Sequence, residues 1–280
     1  MRLRGVRSSR NVEDRRGMTT RGGAMGGIGL VGVLLILGIS YFTGVDLTPI
    51  LEDQTQTVST EPRDISPEEE QAAQFASQVL ATTEEVWTQV FSQQTDGSYT
   101  PPQLVLFSDV TQSPCGGASG ATGPFYCPMD QKAYLDLAFF NTLSQRLGAH
   151  GDFAAAYVIA HEVAHHVQNQ LGILPQVDQM RQQSNRVDGN ALTVRLELQA
   201  DCFAGIWASH IDGLMEEGDL DEALNAARQI GDDKLQRDAG RVPQPHTFTH
   251  GTSEQRSRWF RTGYEAGDLN ACDTFGARQL

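Results

Sequence analysis

Positive charge is scarce over most of this 280-residue chain. After position 23 there are 14 Lys and Arg against 33 Asp and Glu, a balance of about −19. Nucleic acid needs a basic face to neutralise its phosphates, so this acidic body excludes nucleic acid as the partner. Cysteine is scarce too, with four residues and no C-x2-C spacing, which excludes a zinc site built from four thiolates. No internal repeat reaches the length of a solenoid unit. The 39% of apolar residues suffices for one sizeable core rather than two full domains.

Charge is present, but unevenly. Residues 1–23 hold seven arginines (Arg2, Arg4, Arg7, Arg10, Arg15, Arg16 and Arg21) against Glu13 and Asp14. Directly after them, Ala24 to Phe42 form a 19-residue run without a charge, and Asp46, Glu52 and Asp53 follow. The run just reaches the length of a membrane-crossing helix. The positive-inside rule then puts the N-terminus in the cytoplasm and exports the rest. A cleaved signal peptide is the rival reading, but its basic region is unusually long and no A-x-A site follows. The expected organisation is a basic cytoplasmic tail (1–23), a transmembrane signal anchor (24–43), a polar linker (44–65) and a main folded domain (66–280). The domain is expected on the periplasmic or extracellular side of the cytoplasmic membrane.

All four cysteines fall in the exported part, where an even count suggests disulfides. Cys115 and Cys127 flank a Gly-rich stretch and are expected to close a local loop, which pairs Cys202 with Cys272. Four cysteines admit three pairings, and buried free thiols are the alternative.

Ser66-Pro67-Glu68-Glu69 has the residues of a helix start: a serine cap, proline in the first turn and glutamate at the third position. Ala72 to Phe91 follow with helical apolar spacing. Residues 104–107 and 133–137 read as short strands, and helices are expected near 138–147, 153–171, 190–216, 219–230 and 253–264. Helices outnumber strands, so the fold class is α+β, mainly helical with a small sheet.

The chemistry starts at His161-Glu162-Val163-Ala164-His165. Positions i and i+4 share one helix face, so both imidazoles can reach one metal ion. Glu162 can serve as general base toward a water that the metal acidifies. The preceding Phe153–Ala160 is apolar with small residues, as a buried active-site helix requires. The long metzincin signature fails, because its glycine and third-histidine positions hold Gln168 and Leu171. Glu197-Leu198-Gln199-Ala200-Asp201 supplies the missing parts. Glu197 is the expected third ligand, and Asp201 can accept the free N–H of a ligand histidine. An acidic pair usually decorates a solvated face, but this one sits among apolar residues and needs a compensating cation. His250 is a third candidate: an oxyanion donor, a transient fourth ligand or a loop histidine near the next helix start. His166 points off the ligand face and reads as structural. His246 and Tyr157 are weaker candidates, and His150 and His210 read as surface residues.

These motifs resemble the neutral zinc metallopeptidase family of bacteria. The resemblance runs nearly end to end, through Asn11–Arg16, Cys115-Gly116, Gly123–Pro128, Tyr134–Leu137, Tyr157–Gln168, Glu197–Gly205 and Phe248–Thr252. Ala164 stands where the family often has glycine, at a position that is not a ligand. The resemblance also extends to the wider gluzincin class of zincin-like peptidases, which implies one zinc ion, a polypeptide substrate and an edge strand that pairs with substrate. Residues 133–137 are expected to be that strand. The implied activity is that of a membrane-anchored zinc metalloendopeptidase. Alternatives are a metal-stabilised binding or assembly module that does not cleave, and an amidase acting on a non-peptide substrate.

Overall fold

A local sequence signal starts the first long helix where it was expected. In the computed structural model, which describes residues 1–17, 64–119, 123–211 and 213–280, helix α1 spans Pro67–Gln94. Ser66 and Glu69 form a reciprocal cap: the Glu69 N–H donates to Ser66 Oγ at 3.2 Å, and the Ser66 N–H donates to Glu69 Oε2 at 2.9 Å. Three glutamates in the first turn complement the helix dipole.

Strand β1 is Val12–Asp14, β2 is Gln103–Phe107, and a hairpin of β3 (Val110–Ser113) and β4 (Gly116–Ser119) follows. Next come β5 (Phe125–Cys127) and β6 (Lys132–Asp136). The larger sheet has the order β1-β2-β6-β5, with β1, β2 and β6 parallel and β5 antiparallel to β6. Residues 133–137 therefore lie inside the sheet, which corrects their expected place at its edge. The edge on that side is β5, a three-residue strand too short for any alternation to announce.

The remaining helices are α2 (Ala138–Gln145), α3 (Asp152–Gln170), α4 (Ile173–Gln182), α5 (Arg186–His210), α6 (Asp219–Gln229), α7 (Asp232–Asp238) and α8 (Ser253–Ala266). Five of these match the expected set. Helix α5 begins earlier than expected, because the Asn185 side chain accepts from the backbone of Val187 and Asp188. Helices α4 and α7 are short and polar, and their sequences carry little periodic signal.

Helix α3 is buried on nearly every side, from Phe153 to Gln168, and packs against α1, α5 and α6. Helices α5 and α8 touch backbone to backbone at Gly205 and Gly263. A Cβ at Gly263 would come within 1.8 Å of the Cys202 carbonyl oxygen, and one at Gly205 within 2.0 Å of the Phe260 carbonyl oxygen. Only glycine permits this approach, and it delivers the start of α8 to the middle of α5. Both disulfides have the expected pairing, Cys115–Cys127 and Cys202–Cys272.

The N-terminal segment departs from the expected organisation. Residues 1–16 belong to the same compact unit as residues 65–280, instead of forming a separate tail. An arginine-rich stretch reads the same in sequence whether it is a topology signal or the complement of an acidic surface. The apolar run 24–43, and the linker 44–65 except its last two residues, lie outside the described residues. Among the described residues no helix is long and apolar enough to cross a membrane.

Candidate metal centre

Two consecutive turns of α3 carry His161 and His165, whose rings meet edge to face with centroids 4.8 Å apart. Each imidazole has one nitrogen already committed. His161 Nδ1 lies 2.9 Å from Asp201 Oδ1, and His165 Nδ1 lies 2.9 Å from Gln168 Oε1. The Gln168 amide cannot be turned around, because its nitrogen donates to the Leu196 carbonyl (2.7 Å) and to Gln199 Oε1 (3.1 Å). Its oxygen therefore accepts, the His165 proton sits on Nδ1, and Nε2 keeps a free lone pair. Asp201 sets the same tautomer at His161.

The two Nε2 atoms converge on Glu197 of α5, at 3.1 Å from Oε2 for His161 and 3.4 Å from Oε1 for His165. One atom from each of the three residues fits within a mutual spacing of 4.8 Å. Tetrahedral zinc with bonds of about 2.0–2.1 Å holds neighbouring donors roughly 3.3 Å apart. Two neutral imidazoles and a carboxylate at this spacing fit the ion in number, type and separation.

The surrounding carboxylates favour positive charge at this point, so a metal binding there must displace a proton from His161. Burial works to discharge His161, but Asp201 and Glu197 outweigh it and its pKa is pushed up to about 10. Burial likewise raises the Glu197 carboxyl, yet the two histidines hold it well below the usual range. Glu162 is pushed upward by burial and lines the same cleft.

Behind His161, fully buried Asp201 accepts from the Tyr157 hydroxyl (2.5 Å), from Arg256 Nε (2.8 Å) and from Arg256 Nη2 (3.0 Å). Arg256, on the first turn of α8, is 2% exposed. Nothing in the sequence signals this role, because a lone arginine on a polar helix has no pattern to mark it. Gln168 was likewise seen only as a failed metzincin position.

His250 lines the cleft, and its Nδ1 lies 3.3 Å from Asp232 Oδ1. The Asp232 Oδ2 atom accepts from the backbone N–H groups of Thr249 (2.7 Å), His250 (2.6 Å) and Gly251 (3.1 Å). Burial raises the Asp232 carboxyl, but the His250 side chain first, and then these backbone bonds, hold it below the usual range. His250 is thus beside the cluster of possible ligands and not within it. His166 is structural: Nδ1 meets the Tyr126 hydroxyl at 3.0 Å and Nε2 meets the Thr100 carbonyl at 2.7 Å, tying β5 to α3. Tyr157 serves Asp201, while His246, His150 and His210 stand outside the cleft lining.

The cleft measures about 620 Å³ and is walled by Phe125 and Tyr126 of β5 and by Phe139, Val158, Leu196 and Leu235. A histidine pair one helical turn apart, with the glutamate after the first histidine in an open cleft, is the arrangement of a zinc metallopeptidase. A family model described as "Putative neutral zinc metallopeptidase" matches residues 1–275, and the chain belongs to that family. It is 48% identical over 288 residues to "Uncharacterized protein YpfJ" of Escherichia coli K12, covering 99% of both chains. It is 43% identical over 195 residues to "Uncharacterized protein Rv2575" of Mycobacterium tuberculosis H37Rv, covering 65% of each. No solved structure matches it.

Proposed function

We propose that this chain is a gluzincin-type metalloendopeptidase that binds one zinc ion through His161, His165 and Glu197. The carrying observation is that both Nδ1 atoms have partners while both Nε2 atoms converge on Glu197. A zinc ion there supplies Lewis-acid polarisation of a peptide carbonyl and lowers the pKa of a water. Glu162 takes the proton from the attacking water and passes it to the leaving amine. Asp201 and Gln168 keep the two imidazoles in the ligating tautomer. His250, braced through Nδ1 by Asp232, presents Nε2 to the oxyanion.

The free edge of β5 lines the cleft, so an extended substrate segment can add to the sheet beside Phe125 and Tyr126. This supports cleavage within extended polypeptide. A purely structural metal site has no need of a glutamate in an open cleft, which disfavours a module that does not cleave. Two disulfides support an oxidising, exported compartment for the domain. Association with the cytoplasmic membrane through residues 24–43 completes the reading.

The test is elemental analysis of purified protein together with cleavage of a peptide pool. Zinc at one equivalent is expected, and it should be lost in His161→Ala, His165→Ala and Glu197→Ala. Glu162→Gln should keep the metal and lose about 10²–10⁴ in turnover. Equal cleavage by Glu162→Gln and the natural chain would sink the mechanism.

A further inference from the structure

The N-terminal segment is built into the catalytic domain, and this constrains the membrane topology independently of the catalytic reading. Strand β1 pairs in parallel with β2, with Val12 opposite Leu104, Glu13 opposite Val105 and Asp14 opposite Leu106. Backbone bonds extend the seam on both sides: the Leu104 N–H donates to Asn11 O (2.8 Å), Arg15 N–H to Leu106 O (2.7 Å), and Ser9 N–H to Ser77 O (3.1 Å).

The side chains are matched as well. Glu84 of α1 is 6% exposed, and residues 7–11 supply its partners. Arg7 Nη2 donates to it at 2.8 Å, Asn11 Nδ2 at 2.8 Å, and the Ser9 hydroxyl also donates to it. Arg7 Nε reaches Glu85 at 3.0 Å, Arg16 Nη2 reaches Glu70 at 3.0 Å, and Lys132 Nζ reaches Glu13 at 2.6 Å. The segment thus supplies both the cation and the hydrogen-bond donors of a carboxylate that is buried in the fold, which such a buried charge requires. It likewise supplies the partners of the β2 backbone groups facing β1. The family model likewise begins at residue 1, so the segment belongs to the family's shared sequence.

We propose that residues 1–16 and residues 65–280 occupy the same side of the membrane, the side of the catalytic domain. A stretch whose two flanks share one side crosses a bilayer an even number of times or not at all. The single crossing with a cytoplasmic N-terminus, expected from the arginines, is replaced by this arrangement. Four of the arginines that suggested a cytoplasmic tail, Arg2, Arg7, Arg15 and Arg16, instead meet carboxylates within the fold.

The test uses the full chain in bacterial membranes. Among the described residues no cysteine is free, so introduced thiols report alone. Arg7→Cys with Glu85→Cys places two half-exposed positions in contact. A short bismaleimide should link them within one chain, as peptide mapping would show. Ser8→Cys, at an exposed position, and Glu85→Cys as single variants should label equally with a membrane-impermeant maleimide in intact spheroplasts. Labelling of position 85 in intact spheroplasts and of position 8 only after lysis, without a cross-link in the double variant, overturns the proposal. Equal protection of both positions until lysis upholds the shared side and sinks the exported compartment proposed above. Ser8 is exposed and outside the Glu84 contacts, so the labelling arm stands even if the double variant fails to accumulate.

Discussion

Arg256 and Asp201 form a buried ion pair, 2.8 Å from Nε to Oδ2, directly behind His161. Their side chains are 2% and 0% exposed. Asp201 thus carries its charge in the core because Arg256 sits beside it, and that charge orients His161. Arg256→Met should destabilise the protein by about 3–5 kcal/mol in urea titration, since it strands a buried carboxylate. Adding Asp201→Asn should recover much of that stability without recovering zinc retention. A double variant that regains both would show that Asp201 and Arg256 serve folding alone.

Gln168 makes a second prediction, independent of charge. Its oxygen accepts from His165 while its nitrogen is held by Leu196 and Gln199. Gln168→Leu removes that acceptor and leaves the two amide-nitrogen acceptors without their donor. Zinc affinity, measured by competition with a chelator, should fall about 10–100-fold, the usual loss for a partner that orients a ligand. Unchanged affinity would mean that His165 is positioned by packing only.

His250 and Asp232 should act as a pair. His250→Ala is expected to lower kcat by about 10²–10³ with KM nearly unchanged, the signature of a donor used only in the transition state. Asp232→Asn should lower kcat less, because the amide oxygen can still accept from the backbone and hold the loop. Loss of zinc in His250→Ala would instead identify the histidine as a ligand.

The docked N-terminal strand should respond to acid. Arg16 holds the Asp14 carboxyl below its ordinary value of 3.8, and Arg15 and Lys132 hold Glu13 below 4.5. Depressed carboxylates stabilise the folded form fully above their ordinary values, and that contribution is lost as pH falls through the folded ones. Hydrogen-exchange protection of Val12–Asp14, corrected for intrinsic rate, should be flat from about pH 7 to 5 and decline below about pH 4. The groups are partly exposed, so the change should be modest and shrink further in salt. Protection that instead falls between pH 7 and 5 would point to a different titrating group.

The sequence by itself determined the local parts. HExxH places its ends on one helix face by the 3.6-residue turn, ExxxD does the same on α5, and Ser66 with Glu69 caps α1 through contacts three residues apart. The cysteine pairing was one of the three that the sequence allowed, preferred because Cys115 and Cys127 close a short loop. What required distant segments to meet was decided only by the tertiary structure. Gln168 reaches Leu196, Arg256 reaches Asp201 across the glycine crossing, and Asp232 reaches the backbone of His250. None of these pairs has a periodic spacing to betray it. The sheet order is of the same kind, since pairing partners far apart in the chain decide which strand is the edge, and they made β5 the edge and β6 interior. The N-terminal segment shows the limit most clearly: its arginines are visible in the sequence, but the carboxylates of Glu84, Glu85 and Glu70 that receive Arg7 and Arg16 lie more than fifty residues away, and only folding brings them together.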